Sequence, residues 1–434
     1  MRAYDIIFKK RWNKVLSSSE IDFMVKGFVK GVIPDYQMSA FLMAVAINGM
    51  NANETLSLTK SFVNSGDIID LSSIPGIKVD KHSSGGVGDT TTLVVAPIVA
   101  EARIPVAKMS GRGLGHSGGT IDKLESIPGF STKISKNDFI NQVKNIGIAV
   151  VGKIGNVVPA DKLIYALRDV TATVDSLPLI ASSIMSKKIA GGADAIILDV
   201  KVGSGAFIED EKKVEKLAKI MVNIGKGFGR KTRAIITDMS QPLGNAIGNS
   251  LEVEEAIKVL KGNGSRDLRE ICINIAANML LLGQKVNNFK EGIELTEEIL
   301  TSGRGLDKFM QLVSHQGGNS NIVDDISLLP KARYKDELVA KCDGFISKID
   351  CKQIGIASII LGAGREKKED IIDPSVGIVM EKRLSDNVKI NEKICTIYGN
   401  DFSKIEEAKK VLVESIEISG EKTSKPILIK KIID

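Results

Sequence analysis

The chain has 434 residues, 43% hydrophobic and 26% charged, and its 59 basic against 53 acidic side chains leave a net charge of +6. That length exceeds one ordinary core and predicts two or three domains of a water-soluble globular protein. The positive excess is spread along the chain without a basic tract or interleaved aromatics, which argues against a nucleic-acid partner. No run of 18 apolar residues occurs, since the longest candidate, 92–109, is broken by Glu101 and Arg103, so no membrane partner is expected. The N-terminus, with Asp5, Lys9, Lys10 and Arg11, does not read as a signal peptide. Cys272, Cys342, Cys351 and Cys395 show no CxxC spacing, so neither a disulfide framework nor a zinc site is expected, and a cytoplasmic location is.

The first 65 residues read as helices alone. Ser17 and Glu20 form a capping box before Ile21, Met24, Val25 and Phe28, which recur at helical spacing. A second helix is predicted over 35–50, apolar on most sides at Met38, Phe41, Leu42, Val45 and Ala46, and a third begins with Asn53 as N-cap. So much apolar surface on a small helical unit predicts packing against a second copy of the chain, a homodimer.

From residue 77 the pattern changes. Strand-like runs at 77–82, 104–109, 148–151, 195–200 and 234–239 alternate with helical stretches at 91–102, 136–145 and 209–226. Such alternation predicts crossover units and a mostly parallel sheet buried on both faces. The segments 161–168 and 177–188 break the rhythm, two helices with no strand between, and are expected to rejoin the N-terminal helices. Gly152, Gly155, Gly191 and Gly192 flank that excursion as candidate hinges.

After Pro330 short strands return at 337–342, 376–382 and 393–398, with a helix from Ser403. The fragment 386–395 faintly resembles the hairpins of biotinyl and lipoyl carrier domains, but Lys382 beside Glu381 lacks the tight-turn setting of a modified lysine, which favours a structural role. The fold class is therefore α/β: a small all-helical domain, a large mostly parallel α/β sheet domain and a C-terminal α+β barrel-like subdomain. The expected division is 1–65 with 161–190 (dimerisation and base binding), 66–160 with 191–330 (phosphate binding), and 331–434.

Two segments repeat one design. KHSSGGVGDTTT at 81–92 and KMSGRGLGHSGGT at 108–120 each follow a strand, open with Lys-x-Ser, pass through glycines and start a helix. Glycines let backbone N–H groups approach an anion, the helix start adds partial positive charge, lysine adds full charge and hydroxyls add directed donors. The loops lie beyond the carboxyl ends of strands, where open α/β sheets bind ligands. The P-loop pattern GxxxxGK[ST] is absent. Gly113, Gly115 and Gly118 satisfy GxGxxG, yet no acidic residue closes a following strand at the dinucleotide-binding interval. His82 lies between two expected phosphate ligands, His116 sits within the second loop, and His315 lies in a polar stretch expected to be solvated.

SGRGLGHSGGTIDKLE at 110–125 resembles the signature of the thymidine and pyrimidine-nucleoside phosphorylases. The segments 81–89, 182–187 (SSIMSK) and 201–207 (KVGSGAF), together with Arg168, match the same family over essentially the whole chain. Ser84 and Ser117 stand where the family commonly has threonine, or threonine or alanine. The resemblance implies a pentosyltransferase without an organic cofactor, running reversible phosphorolysis of pyrimidine nucleosides to a free base and α-D-(deoxy)ribose 1-phosphate. Phosphate, the co-substrate, would be held by Lys81, Ser83, Thr92, Lys108, Ser110 and Thr120. The pyrimidine would be held by Arg168, Ser183 and Lys187 against an apolar wall of Leu114, Ile180 and Phe207, with His82 near the glycosidic bond as a catalytic residue beside Arg168 and Lys187. A monovalent-cation site, for K+, would match Gly88, Thr90, Leu243, Ala246 and Glu255. The residues do not separate a thymidine-restricted enzyme from one that also takes uridine. The anthranilate phosphoribosyltransferases resemble the same architecture but need a magnesium-binding acidic pair, and no adjacent acidic pair accompanies either loop.

Overall fold

The computed structural model describes residues 1–434 except Leu114, Ser117 and Lys368. Four helices open the chain: α1 (Ala3–Arg11), α2 (Ser18–Val29), α3 (Asp35–Asn48) and α4 (Ala52–Val63). The Ser17–Glu20 capping box forms as predicted. α4 carries a second box, and it corrects the predicted start: Asn51, not Asn53, is the N-cap, because its side chain accepts the Glu54 N–H while the Glu54 carboxylate accepts the Asn51 N–H. The other oxygen of Glu54 accepts the Leu16 N–H and the Lys10 ammonium, each at 2.9 Å.

The sheet region follows as β1 (Val79–Ser83), α5 (Thr91–Glu101), β2 (Val106–Met109), α6 (Thr120–Glu125), α7 (Lys136–Ile146), β3 (Ile148–Val151), α8 (Pro159–Asp169), α9 (Leu177–Ala190), β4 (Ala195–Val202), α10 (Glu211–Gly227), β5 (Lys231–Asp238) and the short β6 (Ala246–Ile247). Helices α11 (Asn249–Leu260), α12 (Arg266–Leu282), α13 (Phe289–Thr301) and α14 (Arg304–His315) complete it. Strands β1, β4 and β5 run parallel, with Val79 opposite Ala195 and Ala195 opposite Lys231, and β2 and β3 form a separate parallel pair. Every residue of β4 is buried, and alternate residues feed two cores: Ala195 and Ile197 pack with α5 and α12, whereas Ile196, Leu198 and Val200 pack on the side of α10 and the N-terminal helices. The strandless excursion behaves as predicted: α8 packs on α2, α3 and α4, and α9 packs on α4.

The C-terminal part comprises β7 (Tyr334–Val339), β8 (Gly344–Ile349), α15 (Cys351–Leu361), β9 (Gly377–Met380), β10 (Asn387–Val388), β11 (Lys393–Gly399), α16 (Phe402–Ser415), β12 (Ile416–Ser419) and β13 (Ile429–Ile433). It holds two antiparallel sheets, ordered β6-β9-β11-β7 and β10-β8-β12. The region expected as the C-terminal subdomain, 331–434, exchanges strands with the large domain. Strand β6 lends an edge from the large domain, and β13 leaves to pair antiparallel with β5, Ile433 opposite Ala234. An uncovered β5 would present a row of unpaired backbone groups at the sheet edge, and the returning chain end removes that edge. Lys382 is held by Glu392 and the Asn387 carbonyl, in keeping with a structural role. Among the described residues no helix is long and apolar enough to cross a membrane.

Glu54 thus closes a capping box and neutralises Lys10 with both side chains 2% exposed. Glu54→Ala should therefore lower unfolding stability by about 3–5 kcal/mol, since an uncompensated buried ammonium remains. Urea denaturation checks this, and a loss under about 1 kcal/mol would mean that Lys10 finds water instead.

Candidate active site

A cleft of about 590 Å³ lies between the carboxyl ends of β1 and β2 and the helices α8 and α9, within the range of small-molecule sites. The sheet side contributes His82, Ser83, Asp89, Thr92, Lys108, Ser110, Gly118, Gly119 and Thr120. The helical side contributes Val158, Asp161, Tyr165, Ile184, Lys187 and Lys188, and Phe207 closes one flank.

Of the predicted phosphate residues, Ser83, Thr92, Lys108, Ser110 and Thr120 all face this cleft. Thr92 stands in the first turn of α5 and Thr120 opens α6, so N-terminal helix N–H groups accompany the hydroxyls. Lys108 donates to the Lys81 carbonyl and lies 3.5 Å from the Asp80 carboxylate. Burial, together with the nearby charges of Lys188 and Lys81, outweighs Asp80 and lowers Lys108 to about 7. Lys81 is placed differently. Its ammonium lies beneath the cleft, bonded to Thr91 Oγ1 and 3.4 Å from Asp199 and 3.9 Å from Asp89. Burial would raise Asp89, but the charges of Lys81, Lys201 and Lys123 overcome it and hold this cleft-lining carboxyl well below its usual range.

On the helical side, Lys187 donates to Asp161 Oδ2 at 2.9 Å and to Ser183 Oγ at 3.1 Å, and Ser183 itself donates to the same carboxylate oxygen at 3.0 Å. Ser183 and Lys187 are one helical turn apart on α9, which brings both to the carboxylate on α8. Arg168 is 1% exposed and does not line the cleft; it donates to the carbonyls of Thr173, Val174 and Leu179 and packs over Tyr165 at 5.5 Å. Burial lowers it despite nearby Asp161. Of the predicted apolar wall, Phe207 lines the cleft, Leu114 lies outside the described residues, and Ile180 gives way to Ile184 one turn along α9.

His82 is half-buried at the cleft floor, and its buried Nε2 finds no hydrogen-bond partner among the described residues. Burial and the charges of Lys188, Lys108, Lys81 and Lys187 push it well below its usual value, so the resting imidazole is neutral. His116 Nε2 lies 3.1 Å from the Gly205 carbonyl, beside Phe207. His315 is exposed, the last residue of α14, with Nδ1 at 2.9 Å from the Gln311 carbonyl.

The predicted cation residues also converge. A Cβ on Gly88 would meet the carbonyls of Leu243 at 2.7 Å and Ala246 at 3.0 Å, and Thr90 Oγ1 lies 3.3 Å from the Gly88 carbonyl. Glu255 accepts the N–H groups of Asn245 and Ala246, yet burial raises it to about 7, and Asp267 adds to the rise. Thr90 Oγ1 donates to Glu252 at 2.8 Å, and the Leu243 and Ala246 carbonyls with the Thr90 hydroxyl are oxygen donors of the kind a hard cation takes.

Asp161, which holds Lys187 and Ser183, and Asp80 are not among the expected site residues. Asp80 is buried and joins Lys188 of α9 at 2.7 Å to Lys108 of β2, across the junction of helices and sheet. A period-2 strand with Asp80 and His82 on one face was the available signal; its partners from α9 lie more than 100 residues away.

With Lys108 near 7, its charged form prevails below neutral pH and is lost above it. Lys108→Met should weaken phosphate binding at pH 6.5 by about 1.5–3 kcal/mol, the worth of a charge-assisted contact. The gap between wild type and variant should narrow as pH rises to 8.5. Titration calorimetry with inorganic phosphate reads both, and parallel pH curves would remove Lys108 from the phosphate site.

Residues 76–306 match the family described as "Glycosyl transferase family, a/b domain", 4–66 match "Glycosyl transferase family, helical bundle domain", and 345–419 match "Pyrimidine nucleoside phosphorylase C-terminal domain". The chain is 55% identical over 429 residues to a pyrimidine-nucleoside phosphorylase of Geobacillus stearothermophilus, covering 99% of each, and 52% identical over 433 residues to that of Bacillus subtilis, covering 100% of each. Among solved structures, the anthranilate phosphoribosyltransferase of Thermus thermophilus shares the fold, with a TM-score of 0.58 at 17% identity over 72% of this chain and 99% of that one. With that identity along its full length, and with its glycine loops and α9 meeting at one cleft, the chain belongs to the pyrimidine-nucleoside phosphorylase family.

Proposed function

We propose that the protein catalyses reversible phosphorolysis of pyrimidine nucleosides, uridine, thymidine and deoxyuridine, yielding the free base and α-D-(deoxy)ribose 1-phosphate. The observation that carries this reading is one cleft with glycine loops, hydroxyls and Lys108 on its sheet side and Asp161 with Lys187 on its helical side, the buried Ser183 bonded to both behind them. The sugar would span the gap between them. Phosphate dianion is already a nucleophile, so the residues need only orient it at Ser83, Thr92, Lys108, Ser110 and Thr120 and direct it at the anomeric carbon. Charge then develops on the departing base, where Lys187 offers an ammonium and Ser183 a hydroxyl, and where Arg168 stands behind them to be recruited as the domains approach. Lys81 starts from below, bonded to Thr91 and beside Asp89, and would turn to join the phosphate ligands when phosphate binds.

His82 starts neutral. As an N–H donor it can hydrogen-bond the base oxygen directly, and a bound phosphate dianion would oppose the lysine charges and favour the imidazolium, a proton source for the leaving base. The cation site fits K+, held by Gly88, Thr90, Leu243, Ala246 and Glu255. A cation there would offset the buried Glu255 and tie the first glycine loop to the 243–246 turn. The protein is further read as a cytoplasmic homodimer. The residues that suggested it, Met38, Phe41, Leu42 and Val45, are buried within the monomer. The exposed apolar side chains of the kind an interface covers are instead Tyr4 and Phe8 on α1, Trp12 just after it, and Tyr36 and Ile47 on α3, and the cysteines are free thiols.

Turnover of uridine, thymidine and cytidine, each with phosphate, tests the reaction; no release of base with any of them would refute it. His82→Ala should lower kcat by ~10²-fold or more if the histidine acts as the acid. Asp161→Asn should raise the KM for nucleoside far more than that for phosphate, because it frees Lys187 and Ser183 while leaving the sheet side untouched. Equal effects on both constants would show that Asp161 serves only the fold.

A further inference from the structure

We propose that Arg365, in the C-terminal subdomain, is a positioning residue that holds the second glycine loop in its phosphate-binding shape. The inference rests on the reading of this loop as a phosphate cradle. A loop built from Gly111, Gly113, Gly115, Gly118 and Gly119 has little side chain with which to fix itself, so something outside it must do so. Asp122, in the first turn of α6, is that anchor. Its carboxylate accepts the Gly113 N–H at 2.7 Å and Arg112 at 2.7 Å from the loop, and its side chain is 3% exposed. The two ends of the loop meet beside it: a Cβ on Gly119 would fall 2.0 Å from the Gly113 nitrogen and 2.7 Å from Asp122 Oδ2.

Arg365 reaches this carboxylate from a different part of the chain, 243 residues on, with Nη2 at 3.1 Å from Asp122 Oδ1. It lies outside the cleft, so it acts through Asp122. Arg112 cannot replace it, being 43% exposed and shared with Glu125 at 2.7 Å. A second contact comes from α15, where Gly355 lies so close that a Cβ would sit 2.6 Å from the His116 carbonyl. The subdomain thus grips the loop at two points, and the space between them is reduced to about 20 Å³, room for a single water. Among the described residues the C-terminal subdomain contributes none to the cleft lining, and this grip would give it a part in the reaction.

Arg365→Ala and Arg365→Lys in the full chain provide the test. The alanine variant should raise both the KM for phosphate in uridine phosphorolysis and the calorimetric Kd for inorganic phosphate at least tenfold. The uridine KM should stay within twofold and Tm close to that of wild type, and lysine should restore part of the phosphate affinity. A phosphate Kd within twofold of wild type in Arg365→Ala would overturn the proposal. So would an equal rise in both KM values with a lowered Tm, which marks a merely structural role. Wild type that binds phosphate but releases no base from uridine would instead refute the phosphorolysis reading, and the phosphate Kd would still decide the role of Arg365.

Discussion

The structure depends on a layer of buried charge at the carboxyl end of the sheet. Lys81, Lys108, Lys188 and Lys201 stand there against Asp80, Asp89 and Asp199, all of them buried save Asp89, whose side chain is 7% exposed. Moving so many ions out of water is costly unless each finds a partner, and here each carboxylate is shared: Asp80 between Lys108 and Lys188, and Asp199 between Lys81 and Lys201. Four lysines against three aspartates leave the layer one positive charge in excess. That surplus disfavours a protonated His82 and half-discharges Lys108, and it makes the cleft a site whose electrostatics improve when a dianion arrives. If phosphate binds in this cleft as proposed, its negative charge would favour a proton on Lys108 and on His82 alike.

The same layer sets the relation between the domains. Lys187 and Lys188 are neighbours on α9, yet Lys187 faces Asp161 on α8 while Lys188 reaches across to Asp80 on β1. Consecutive helical residues point about 100° apart, so a single helix can serve the base side and the phosphate side at once. Directly after it the chain turns at Gly192, with φ of 87° and the Ile69 carbonyl 2.3 Å from where a Cβ would sit, a conformation and an approach that only glycine permits. Another crossing passes Gly155, with φ of 64° beside Asp67. Motion of α9 about these glycines would carry Ser183 and Lys187 towards the phosphate side with Lys188 near the pivot.

Much of this was legible in the sequence, and the limits have physical causes. Strand 148–151 and the helices of the excursion follow from period and caps, because local propensity and burial agree there. The glycine loops were legible because backbone that must approach an anion leaves a compositional mark. What escaped was pairing at a distance. Nothing near 429–433 says that those residues cover the edge of β5, since an edge strand's need for a partner is written in the sheet and not in the partner. Arg168 was expected among the base ligands, yet it is held by three backbone carbonyls, and carbonyls carry no sequence signature.

The placements of Lys81 and Arg168 are linked by the same argument. Both are guided by the family resemblance towards substrate, and both are turned towards protein groups, Lys81 to Asp89 and Asp199 and Arg168 to carbonyls around the turn between α8 and α9. A cation with no anion in reach takes the best acceptors the protein offers, because leaving it unpaired in a buried place costs more than distorting a rotamer. A substrate anion competes with those acceptors only if it brings more charge than they do. Phosphate meets that condition against the shared carboxylates near Lys81, and the anionic leaving base meets it against neutral carbonyls around Arg168. If the proposed phosphorolysis holds, Lys81 should turn when phosphate binds, whereas Arg168 would gain its advantage only as the glycosidic bond breaks, a contribution to the transition state.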